Sequence, residues 1–82
     1  MLDIIFDYSK LRGKIKEVYG QQDKFAEAIG LGRVSLSQRL NNSLEFTQGE
    51  IKKSCNVLGI SAEDMPNYFF IEKVQVRELI DT

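Results

Sequence analysis

Two short runs of helical period, Gln22 to Ile29 and Arg33 to Leu40, are separated only by Gly30-Leu31-Gly32. That interval restricts the fold more than any other feature of the chain. A turn this short, with glycine where the chain must bend, joins two helices that cross steeply. Each side of the turn carries what such a crossing needs. Ala26 is small enough for the second helix to approach closely. Phe25, Ile29, Leu31 and Leu36 are the apolar contacts that lock the pair. Gly30 stands where a positive φ is expected.

The rest of the chain reads as further helices around this pair. Leu11, Ile15, Val18 and Tyr19 recur on one face of a helix from about Ser9 to Tyr19. Asp7 or Ser9 is placed to cap it, and Gly20 to end it. Thr47-Gln48-Gly49-Glu50 has the capping-box pattern and opens a fourth helix. Its stripe is Ile51, Cys55, Val57 and Leu58, and Gly59 stops it. Ser61-Ala62-Glu63-Asp64 opens a short fifth helix, with Pro66 limiting its length. The ends alternate instead: Leu2-Ile4-Phe6 is able to pair with a strand formed by the tail, while Val76 to Ile80 suits a helix equally well. The expected fold class is all-α: one compact five-helix domain spanning residues 1–82, with a short C-terminal strand or helix.

Composition enters as exclusion. At 82 residues the chain buries only a modest core, and a core of that size needs good packing, a staple or a partner subunit. Cys55 is the single cysteine and there is no histidine. No internal disulfide can form, and a zinc site of the usual Cys/His type is excluded. The absence of histidine, of a phosphate-cradling glycine loop and of a paired acid and base argues against an enzyme. No cofactor, metal or small-molecule ligand is expected. No apolar run is long enough for a membrane span, and the acidic start does not suit a signal peptide, so a cytoplasmic protein is expected.

The net charge is -1, but it is unevenly spread. From Lys10 to Lys53 nine basic and five acidic residues give +4, flanked by acidic ends. A positive middle permits a phosphate-binding face. Lys10, Lys14 and Lys16 lie off the apolar stripe of their helix and read first as a solvated face.

The stretch from Gln22 to Asn41 resembles the helix-turn-helix of lambda-type repressors and Cro-like phage regulators. Asp7-Tyr8-Ser9-Lys10-Leu11-Arg12-Gly13, followed by Lys24-Phe25-Ala26-Glu27-Ala28-Ile29-Gly30-Leu31, is similar to the opening of small phage proteins. The resemblance covers about residues 7 to 70. It departs at Arg39, where many relatives are apolar and where Leu40 takes over the packing.

The resemblance implies a transcriptional regulator that lays the 33–41 helix in the major groove of double-stranded operator DNA. With Leu36 and Leu40 turned inward, Arg33, Val34, Ser37, Gln38 and Asn41 are the expected base contacts. Gln22, Lys24, Ser35, Arg39, Asn42 and Ser43 are the expected backbone contacts. A homodimer on DNA is expected, with the tail from about residue 69 to 82 as its candidate element. The alternative is a protein-interaction module, such as an antitoxin or anti-repressor, that reuses the fold.

Overall fold

A computed structural model describes residues 4–73. In chain order the elements are β1 (Ile5–Phe6), α1 (Ser9–Tyr19), α2 (Gln22–Ala28), α3 (Arg33–Leu40), α4 (Gln48–Leu58), α5 (Met65–Phe69) and β2 (Glu72–Lys73). Among the described residues no helix is long and apolar enough to cross a membrane.

The chain is mostly helical with five helices, as expected, and of the two options for its C-terminal part the described residues hold a short strand in a small sheet. β1 and β2 pair antiparallel, Ile5 opposite Lys73 and Phe6 opposite Glu72. The Asp7 N–H extends the ladder by donating to the Ile71 carbonyl at 2.7 Å. The alternating start therefore does find a strand after α5. Leu2 and residues 74–82, including the tail helix considered above, lie outside the described residues.

The core forms where the helical stripes meet. Leu11, Ile15, Phe25, Ala26, Ile29, Leu36, Leu40, Leu58 and Ile60 are buried together with Tyr8, Phe46 and Phe69. Phe46 is the hub of the aromatic part, with edge-to-face contacts to Tyr8 at 5.4 Å and to Phe69 at 5.3 Å between ring centroids. Such pairs add about 1 kcal/mol each beyond the area they bury. Phe69 thus belongs to the core and not to a dimer surface. Val18, expected on the α1 stripe, is 45% exposed, so the stripe is fully buried only at Leu11 and Ile15.

Three helix ends share one device. After α2 the Leu31 N–H returns to the Ala26 carbonyl at 2.8 Å, and the Gly30 N–H to Glu27 at 3.1 Å. After α3 the Ser43 N–H reaches Gln38 at 2.8 Å, and the Asn42 N–H reaches Arg39 at 3.1 Å. After α4 the Ile60 N–H reaches Cys55 at 2.9 Å. Each closure needs a left-handed residue just past the helix. Gly30 has φ +79° as expected, and Gly59 has φ +71°. At the end of α3 the residue is Asn42, with φ +66°.

The helix starts divide. Thr47 and Glu50 form the full capping box: the Glu50 N–H donates to Thr47 Oγ1 at 3.1 Å, and the Thr47 N–H donates to Glu50 Oε1 at 3.0 Å. At α1 the Asp7 carboxylate accepts from both the N–H and the hydroxyl of Ser9, although Tyr8 is the capping residue. The fifth helix starts later than expected. Ser61 to Asp64 form a turn, and Pro66 stands in the first helical turn of α5. Its missing N–H costs nothing there, so it opens the helix and does not limit it.

Candidate nucleic-acid interface

α2 and α3 are joined by a turn in which Ile29 and Leu31 stay against the core while Gly32 enters α3 in extended conformation. Leu36 and Leu40 anchor α3 inward. The helical period then leaves Arg33, Val34, Ser37, Gln38 and Asn41 on the outer side.

A groove of about 400 Å³ runs along this side. Gln22, Arg33, Val34, Ser37, Gln38, Asn41 and Ser43 line it, together with Asp23. All five expected base-contact residues and two of the expected backbone contacts, Gln22 and Ser43, are thus brought to one surface. Val34 is 69% exposed, which no packing role explains. Arg33 approaches Asp23 at 3.6 Å. Both side chains are mostly in water, where such a pair contributes little and leaves the guanidinium able to exchange partners. Lys24 is exposed on α2 but does not line the groove.

Two expected backbone contacts, Arg39 and Asn42, have their side chains engaged within the fold. Arg39 donates from Nε to Glu50 Oε1 at 2.7 Å and from Nη2 to Oε2 at 3.2 Å. Its third donor, Nη1, meets the Ser35 carbonyl at 2.9 Å. The two side chains are only 14% and 15% exposed, so the pair is a strut between α3 and the start of α4. Burial alone would raise the Glu50 pKa. Hydrogen bonds from Arg39 and Thr47, and the Arg39 charge, outweigh it and hold the carboxyl below its usual value. Ser35 is half-buried and its carbonyl serves the same strut.

Asn42 is the second. Its Oδ1 accepts from the Phe6 N–H at 2.9 Å, and its Nδ2 donates to the Phe6 carbonyl at 3.0 Å. In an antiparallel pair, alternate residues direct both backbone groups away from the partner strand. The Asn42 amide takes both of those groups at Phe6 and closes the free edge of β1.

The residues missed from the sequence are Asp23 and Arg12. Arg12 lies on α1 but reaches the end of α3, where its Nη2 donates to the Leu40 carbonyl at 3.3 Å and to Asn41 Oδ1 at 3.0 Å. Asn41 Nδ2 in turn lies 3.4 Å from Ser37 Oγ. The charge count marks Arg12 as basic, but no spacing rule joins it to a residue 29 positions on.

The DUF739 family, described as a protein of unknown function, matches residues 4–72. That span takes in both strands' pairing partners up to Glu72, the whole groove and all five described helices. The chain belongs to the DUF739 family. This DUF739 chain is also similar to the solution structure of the modulator of repression (MOR) of the temperate bacteriophage TP901-1 from Lactococcus lactis. The identity is 43%, over 79% of this chain and 88% of that one, with a TM-score of 0.71. A search of curated proteins gave no match.

Proposed function

We propose that this DUF739 protein is a phage-type regulator of repression that binds duplex DNA through α3, by occupancy and without catalysis. The carrying observation is the convergence of Gln22, Arg33, Val34, Ser37, Gln38, Asn41 and Ser43 on one groove. Arg33 forks onto guanine O6 and N7, Gln38 pairs with adenine N6 and N7, and Val34 touches a thymine methyl. Gln22, Lys24 and Ser43 hold phosphates, which positions the helix without reading sequence. Kinship to lambda-type and Cro-like regulators, and a two-fold dimer on a pseudo-palindromic site, are part of this reading. The similarity to a phage protein that modulates repression supports a regulatory role.

A second reading has its own observation. The exposed Val34 and the partial neutralisation of Arg33 by Asp23 leave the groove with little net positive charge. Such a surface also suits a protein partner, and the name of the similar phage protein is compatible with a chain that acts on a repressor.

Salt separates the two. A pool of random duplexes is selected with the full chain, and affinity for the winner is followed against salt. DNA reading predicts an enriched sequence whose affinity falls about tenfold between about 50 and 200 mM salt, if Lys24 of each of two copies neutralises one phosphate. No enrichment from the folded chain at low salt rejects it and favours the protein partner.

A further inference from the structure

A second groove, of about 470 Å³, is formed by α4 and the stretch that runs through α5 to Phe70. It shares no lining residue with the α3 groove, so it stands apart from the DNA reading. Ile51 and Cys55 of α4 line it together with Ile60, Met65 and Phe70, and Lys52 adds a positive charge. Among the described residues no acidic side chain lines it. Phe70 is 47% exposed, although its neighbour Phe69 is fully buried. An open apolar surface of this kind marks a place where another segment docks. A segment with apolar residues at i, i+3 and i+4 and an acid among them has the matching chemistry.

We infer that the docking segment is the chain's own tail, residues 74–82, with Val76, Leu79 and Ile80 entering the groove of the same molecule. Their sequence spacing, i, i+3 and i+4, is that of one apolar helical face. Glu78 and Asp81 outnumber Arg77 in the tail, so it brings a net charge of -1 to Lys52. Position favours the tail over a free partner. Phe70 is a wall of the groove and stands three residues before Lys73, after which the tail begins. Glu72 pairs with Phe6, and Phe6 shares a neighbouring hollow with Ile51 and Phe70, which also line the groove. The tail therefore starts beside its site. Its nine residues span up to about 30 Å extended, or about 13 Å at helical rise. A tether this short gives an effective concentration on the order of millimolar, which a second copy at micromolar concentration does not match. Burial of the three side chains offsets the entropy of ordering the tail.

Cys55 is the single cysteine and lines the groove, so its thiol reports whether the groove is covered. The wild-type full chain and a full-length Leu79→Asp, Ile80→Asp double variant, both shown folded by circular dichroism, are treated with dithionitrobenzoate without denaturant. The variant thiol is expected to react about tenfold faster, which corresponds to a wild-type tail docked about nine-tenths of the time. Equal rates overturn the inference. A second measurement holds if the double variant fails to fold. Full-length Leu79→Cys and Arg77→Cys are oxidised separately with diamide, and the products are identified by mass spectrometry. Leu79→Cys is expected to form a disulfide with Cys55 within one chain, severalfold faster than Arg77→Cys, which is off the apolar spacing. Equal rates at the two positions are those of a loose tail and overturn docking. A disulfide formed only between two chains, at a rate that rises with protein concentration, overturns docking within one molecule.

Discussion

Replacing Asn42 by glycine or by alanine separates two roles that one side chain plays. Its backbone sits at φ +66°, where an alanine costs about 1–2 kcal/mol and a glycine nothing comparable. Its amide makes two hydrogen bonds to Phe6, at 2.9 and 3.0 Å. Each has a net worth of about 1 kcal/mol, because the Phe6 groups find water when the amide is gone. Asn42→Gly is expected to cost about 2 kcal/mol, and Asn42→Ala about 3–4 kcal/mol. In a domain of this size 1 kcal/mol moves the melting temperature by about 4–8 °C. Thermal and urea unfolding followed by circular dichroism should therefore rank wild type above glycine and glycine above alanine, each step by at least about 4 °C. This order reverses the usual advantage of alanine over glycine inside helices. Alanine equal to or better than glycine would refute the left-handed cap. Glycine equal to the wild type would refute the β1 edge contact.

Other outcomes follow from the same geometry. Arg39→Met leaves Glu50 poorly compensated at low exposure and should cost about 3 kcal/mol at neutral pH, read by urea unfolding. Because the Glu50 pKa is held low in the folded chain, its contribution is present above the unfolded carboxylate pKa. It is lost as pH falls through the lower folded value, so wild-type stability should drop in that acid window while Glu50→Gln shows a smaller drop. Thr47→Ala removes one half of the capping box and should cost about 1 kcal/mol in the same assay. At Gly30 an added Cβ meets nothing within 4 Å, so Gly30→Ala should cost only the backbone strain of a positive φ, about 1–2 kcal/mol; a much larger loss would mean the turn is packed more tightly than described. Val34→Ala and Gln38→Ala, both on the exposed side of α3, should leave the melting temperature within about 2–4 °C of wild type while weakening binding to the selected duplex.

The sequence by itself determined the helices and the face they leave free. Period, capping and glycine placement are local properties, written within a few neighbouring residues, so α1 to α4 fall close to where the pattern places them. The Thr47–Glu50 box and the positive φ at Gly30 are local in the same sense. The set of groove residues is legible because inward Leu36 and Leu40 fix the rotation of one helix. What the tertiary structure decided is the employment of polar side chains whose partners lie far along the chain. Arg39 and Asn42 carry the same donors whether they meet phosphate or protein. Only the approach of α4 gives Glu50 to the first, and only the return of β1 gives Phe6 to the second. Arg12 is the same case across 29 residues. Pro66 misled for a related reason: its ring breaks a helix interior but suits a first turn, and the turn that precedes α5 decides which of these it meets. Alternation at the two ends offered the small sheet as one option, but strands two residues long have too little period to decide between strand and helix or to set the register, which only the pairing of the two halves fixes.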